Sequence, residues 1–212
     1  MRLLEIFNEN KTTIIFALAA LAIVILYIAI KHYVENVIPK KRLNSNNPDK
    51  SIRVVKRITE QYVRRNDGRA IYSVEVGSSK TKGSADIILV GYFGVLVIVT
   101  CDLSGSIYAN DKDEMLTQLS GGERRSHENP FINVKNAAKA VSELLREKRV
   151  FRVPVEAAVV FTGKKASVNV PRSLDGFTPK ELTKILKTDR FLDDKKVDID
   201  MTVNAILGMS KR

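Results

Sequence analysis

Hydrophobic positions along the chain fall into one long run and several shorter periodic patterns. From Thr12 to Ile30 the stretch TTIIFALAALAIVILYIAI carries no charge. As a helix it would span ~28 Å, close to the hydrocarbon thickness of a bilayer. Val34 to Lys50, with Pro39, Pro48 and Asn44-Ser45-Asn46-Asn47, is too polar to pack and predicts a linker. From Ser51 to Arg65 the apolar residues Val55, Ile58 and Tyr62 recur at helical spacing, with Arg53, Lys56, Arg57 and Arg64 on the opposite side of the wheel. That pattern predicts an amphipathic helix with a basic outer stripe.

After the turn signal Asn66-Asp67-Gly68 the period shortens. Ala70 to Val76 predicts a strand, and Asp86–Val90 and Val95–Cys101 around Gly91-Tyr92-Phe93-Gly94 predict a hairpin deep in a core. Ser106 to Tyr108 reads as a third strand, and the polar segment from Asp111 to Glu128 as a surface loop. Asn129-Pro130 supplies an N-cap and a first-turn proline for a helix buried through Phe131, Val134, Ala138, Val141 and Leu145. Val155 to Phe161 predicts another strand. Thr178-Pro179-Lys180-Glu181 is a capping box opening a short helix through Leu186, and Ile199 to Met209 predicts a last helix. This order favours a mixed sheet with helices against it.

The predicted organisation is therefore a tail at 1–11, a transmembrane helix at 12–30, a basic juxtamembrane linker at 31–50, one domain at 51–162 and a helical extension packed on it at 163–212. The small-residue triplets Ala17-Leu18-Ala19 and Ala20-Leu21-Ala22 lie inside the apolar run, which favours an uncleaved anchor over a signal peptide. Lys31, Lys40, Lys41, Arg42 and Lys50 follow the run and outnumber the bases before it. The positive-inside bias thus places the domain on the cytoplasmic side of the cell membrane.

Charge narrows the chemistry. In 212 residues there are 35 Lys and Arg against 24 Asp and Glu, a formal net charge of +11, which draws the chain to polyanions: nucleic acid or anionic lipid. Arg53, Lys56, Arg57, Arg64 and Arg65 are the candidate anion-binding set. The one cysteine, Cys101, excludes an intrachain disulfide, and two histidines exclude a His-rich zinc site. Cys101 among Val and Ile reads as a small buried hydrophobe, and His127 in a polar segment as a solvated side chain.

Ser51 to Phe161 resembles the NERD (nuclease-related) domain, a relative of the restriction-endonuclease-like fold. The segments that carry the likeness are the amphipathic helix, Ala85-Asp86-Ile87-Ile88-Leu89-Val90-Gly91 through Gly94-Val95-Leu96-Val97-Ile98 to Ser104-Gly105, and Asn129-Pro130 with the helix and strand behind it. The resemblance implies an α/β fold with a restriction-endonuclease-like mixed sheet flanked by helices. It also implies an aspartate and a Glu-x-Lys meeting at one point, two carboxylates for a magnesium ion and a lysine beside the scissile phosphate.

Asp86 stands at the aspartate position, but the Glu-x-Lys positions are Val99-Thr100-Cys101. The family's early helix Glu falls at Ser51-Ile52-Arg53, and its Gln after Asn-Pro is Asn133. Asp86 is then either a remnant ligand or a polar residue bonded to nearby backbone. The expectation is a catalytically inactive nuclease-like module with no cofactor, binding nucleic acid non-specifically or a protein partner at the membrane face. Two alternatives compete with it: a magnesium-dependent nuclease whose ligands have migrated to Glu75, Asp102 or Glu114 around Asp86, and a scaffold that binds anionic lipid through Lys40, Lys41, Arg42 and the first helix.

Overall fold

A computed structural model describes residues 21, 22, 24, 26, 28, 48–78 and 81–208. The chain divides into two compact units, Met1–Ser45 and Asn46–Arg212. In the first, Leu21, Ala22, Val24, Leu26 and Ile28 are helical and exposed. The rest of the predicted tail, transmembrane helix and linker up to residue 47 lies outside the described residues. Among the described residues no helix is long and apolar enough to cross a membrane.

The second unit is built on a five-stranded mixed sheet. Helix α1 (Pro48–Asn66) leads into β1 (Arg69–Gly77), β2 (Lys82–Gly91) and β3 (Gly94–Cys101), an antiparallel meander. Ile87 to Val90 and Val95 to Ile98 are all fully buried, as their unbroken apolar runs require of strands covered on both faces. The chain then forms β4 (Ser106–Tyr108), β5 (Met115–Ser120) and β6 (Glu123–Glu128), crosses through α2 (Pro130–Glu147), and returns as β7 (Val155–Phe161) parallel to β3. β8 (Ser167–Asn169) follows, then β9 (Gly176–Phe177), α3 (Pro179–Ile185), α4 (Asp189–Leu192) and α5 (Ile199–Ile206). The strand orders are β1-β2-β3-β7-β9 in the large sheet and β6-β5-β4-β8 in a smaller one, also mixed.

Two apolar clusters sandwich the large sheet. On one face Val55 and Tyr62 of α1 pack with Ile87, Leu89, Leu96 and Ile98, joined by Leu182, Leu186 and Phe191 from the C-terminal segment. On the other, Ile88, Val95 and Val97 meet Phe131, Val134 and Val141 of α2, with Ile107 and Leu116 of the small sheet and Ile206 of α5. The expected helix caps are present: the Asn129 side chain accepts from Phe131 N, and Thr178 and Glu181 close a capping box.

The predicted surface loop from Asp111 to Glu128 is corrected: it contains the hairpin β5–β6. Gly121 and Gly122 adopt φ +60° and +81°, the left-handed pair that a two-residue hairpin turn of the right twist needs. The segment reads as polar because β6 is almost wholly exposed and only Leu116 and Gln118 of β5 are buried. Beyond Gly163 the segment is not helical throughout, since β9 extends the large sheet alongside β7.

Candidate functional site

Asp86 on β2 and Ser73 opposite it on β1 mark a kink shared by the two strands, where their side-chain alternation slips by one. Ile71 and Ile88 pair and face the α2 cluster, while Tyr72 and Ile87 pair and face the α1 cluster; Val74 and Ala85 then return to the α2 side. Regular alternation would have put residues 85 and 87 on one face. The phase changes because Ser73, opposite Asp86, has φ +51°, a left-handed backbone rare for a residue with a side chain. Sequence alternation alone does not reveal this inversion.

At the kink the Asp86 carboxylate reaches to the neighbouring strand. One oxygen, Oδ2, accepts from the backbone N–H of Thr100 at 2.6 Å and from its Oγ1 hydroxyl at 2.8 Å. The β2–β3 ladder ends at the Ile87–Ile98 pair, so the carboxylate takes over a donor that the receding strand no longer satisfies. Val99 and Cys101 pack together on the α2 side, as strand periodicity predicts. Burial, and secondarily the negative charge of Asp86, push the Cys101 thiol up to about 12. The group is therefore a neutral thiol at any physiological pH.

Helix α1 closes the same end of the sheet. Ser51, near the start of α1, is 2% exposed. Its hydroxyl lies 2.6 Å from Thr162 Oγ1, and Thr162 N–H donates to the Cys101 carbonyl at 2.8 Å. Three hydroxyls, a thiol and the Asp86 carboxylate thus lie toward the end of β3 and β7, with Asp102 half-buried just after β3. Asn133 is exposed on α2.

Of the residues at the aspartate and Glu-x-Lys positions, only Asp86 carries an anionic oxygen. A hard divalent cation fixed by protein needs at least two anionic oxygens placed together, and among the described residues no group of three or more His, Cys, Asp or Glu side chains could hold a metal. Glu75 is exposed on β1 opposite Ser84, Glu114 is exposed before β5, and Asp102 follows β3 half-buried. His127 is corrected from solvated to half-buried: its Nε2 lies 2.8 Å from Gln118 Oε1, and Gln118 Nε2 donates to the Ser104 carbonyl at 2.7 Å. With the Gln118 oxygen facing the ring, Nε2 is the protonated nitrogen.

The basic residues lie elsewhere. Arg53, Lys56, Arg57, Arg64 and Arg65 are all exposed along α1, while Ser51, Val55, Thr59 and Tyr62 form its buried side. The stripe is on the face of the sheet opposite the cluster holding Val99 and Cys101. Lys56 is 4.0 Å from Glu60 and 4.6 Å above the Tyr72 ring. Arg64 and Arg65 occupy the last turn, where the helix dipole favours cations.

One feature is invisible to sequence reasoning, a cavity of about 200 Å³ bordered by Phe131, Lys135, Glu156, Asp175 and Arg190. Its charged side chains are each in an ion pair, Lys135 with Asp111 from outside the lining. Arg190 donates to Glu156 at 2.9 Å and to Asp175 at 2.5 Å, which raises its pKa, and Lys135 binds Asp111, which lowers that carboxyl.

Comparison with known proteins gives one match: the sequence profile described as NERD, nuclease-related domain, covers residues 50–162. No curated protein and no solved structure matches the chain significantly. The matched span runs from the first turns of α1 to the residue after β7, so it contains the Asp86 kink, Val99 to Cys101 and the basic stripe.

Proposed function

The chain belongs to the nuclease-related (NERD) domain family, and from that membership we propose a nuclease-like module that binds nucleic acid without cutting it. It is tethered by the apolar helix at 12–30, with the domain on the cytoplasmic side of the membrane. The observation that carries the reading is the engagement of Asp86 by Thr100 beside Val99 and Cys101. The Asp86 carboxylate already holds a backbone N–H and a hydroxyl, and Val99, at a family carboxylate position, gives a metal no anionic ligand. Cys101 offers the scissile phosphate no ammonium.

The binding half rests on α1. Its outward face carries the exposed cations Arg53, Lys56, Arg57, Arg64 and Arg65, with the half-buried acid Glu60 among them, and such a row contacts phosphates without reading base edges. The apolar run and the bases after it support the tether and its direction.

Binding is tested on the full chain in zwitterionic detergent. Wild-type affinity for a labelled oligonucleotide should fall steeply with salt. Changing Arg53, Arg57 and Arg64 together to Ala should weaken it and make the slope of log K against log salt shallower by about 2 to 3, at ~0.7 to 0.9 per lost phosphate contact. An unchanged slope in the triple variant would remove α1 from the interface.

A further inference from the structure

We propose that the tip formed by the α2–β7 connection and the β2–β3 turn stacks unpaired nucleobases, so that the nucleic acid bound is single-stranded; this rests on the nucleic-acid reading above. The connection Lys148–Pro154 holds three bases, Lys148, Arg149 and Arg152, and no acid. Between them Phe151 stands 66% exposed.

The ring is held out by its anchors. On one side Val150 is 8% exposed and its N–H donates to the Leu145 carbonyl at 2.8 Å; on the other the Pro154 carbonyl accepts from Val95 at 2.8 Å. Arg149 and Arg152 have φ +58° and +62°, a conformation that costs a residue with a Cβ about 1 kcal/mol or more. Two such corners around an exposed phenyl ring work against folding stability, a pattern found where local strain serves presentation of a side chain.

The tip is not isolated. Val95 is the second residue of β3, the strand that follows the Tyr92-Phe93 turn, so its bond to Pro154 ties the connection to that turn, where Tyr92 is 44% exposed. Behind the turn, Phe93 packs edge-on against Tyr62 of α1 at 5.9 Å. Tyr62 lies within the last turns of α1, close in sequence to Arg64 and Arg65. The turn therefore packs near the C-terminal end of α1, where Arg64 and Arg65 stand exposed. The exposed segment 193–195 lies beside it through the bond from Lys195 N–H to the Tyr92 carbonyl at 3.0 Å, and a strand bound at that end of α1 would meet two exposed aromatic rings. Aromatic platforms set among cations suit single strands, whose bases have free faces, and not duplexes, whose bases are already stacked. An anionic bilayer would meet the same charge, but a single phenyl ring on a short anchored connection inserts little apolar area.

The chain contains no tryptophan, so Phe151→Trp places the sole tryptophan at the tip, excited selectively at wavelengths where tyrosine does not absorb. The full chain carrying it is placed in phosphatidylcholine nanodiscs and titrated with oligo-dT and with a duplex of equal length; Phe151→Ala is titrated in parallel by anisotropy. The proposal expects oligo-dT to quench the tryptophan. It also expects Phe151→Ala to lower single-strand affinity about tenfold while duplex binding is unchanged, the scale of one lost base stack. If oligo-dT binds with no quenching and Phe151→Ala binds as wild type, the tip is not a site and the α1 reading stands alone. If wild type binds neither oligonucleotide, the nucleic-acid reading itself falls. If emission shifts only in discs containing phosphatidylserine, the tip is a lipid contact and the proposal is overturned.

Discussion

Asp86→Ala separates a structural carboxylate from a catalytic remnant. In the structural account the substitution removes two short charge-assisted hydrogen bonds, at 2.6 Å and 2.8 Å, and strands the Thr100 N–H at a half-buried strand end. Bonds to a charged group contribute about 1.5 to 3 kcal/mol each, and a buried donor left unsatisfied costs ~1 to 3 kcal/mol. Partial exposure and the flexibility of the Thr100 hydroxyl argue for the lower end, so the expected loss is about 2 kcal/mol. For a domain of this size that lowers Tm by roughly 4 to 8 °C. Asp86→Asn keeps an acceptor for the backbone N–H and should lose less than half as much. Denaturation of the full chain in detergent, followed by circular dichroism, reads both variants. A poised catalytic group behaves in the opposite way, since its removal is commonly neutral or stabilising. An Asp86→Ala protein as stable as wild type, or more so, would refute the structural reasoning.

Cys101 should alkylate slowly. A thiol at about 12 holds roughly a thousandfold less thiolate at pH 8 than one at its ordinary value, and Asp86→Ala should speed the reaction by removing the nearby negative charge. The same upward displacement, shared by Tyr62, which burial pushes to about 12, fixes a sign for stability. Because the unfolded chain loses these protons first, stability is fully present below about pH 8.5 and declines as pH rises toward 12. Urea midpoints between pH 8 and 12 should show the decline, and Cys101→Ala should make it shallower; a curve flat to pH 12 would refute the assignment. Protease added to intact cells should leave the 51–212 domain whole under the proposed topology, in which the excess of bases after the apolar run faces inward. Its digestion without lysis would reverse the topology.

Much of the scaffold is legible because its signals are local. The unbroken apolar runs on either side of Gly91 to Gly94 announce a doubly covered hairpin, and Asn129-Pro130 and Thr178 to Glu181 mark helix starts through bonds made within a few residues. Hairpin β5–β6 is missed because its outer strand buries almost nothing, leaving Gly121-Gly122 as the sole cue. β8 and β9 exist only through pairing with β4 and β7, partners far away in the chain. Asp86, Val99 and Cys101 can be singled out from sequence, but the chemistry around them cannot. The kink at Ser73, the Thr100 bonds and the approach of Ser51 to Thr162 all depend on contacts between separate elements. The stripe on α1 is legible because helical periodicity fixes which side chains face outward.

The most direct test of the central claim is turnover. The full chain, purified in zwitterionic detergent, is incubated with single- and double-stranded DNA and with RNA in magnesium and in manganese, beside Asp86→Asn protein shown to be folded. The account predicts binding with no cleavage above a mock purification, because Val99 provides no ligand, Cys101 no ammonium, and Asp86 alone cannot hold the metal in register. Metal-dependent cleavage by the native chain that disappears in folded Asp86→Asn would contradict it and place an active centre at the β2 kink.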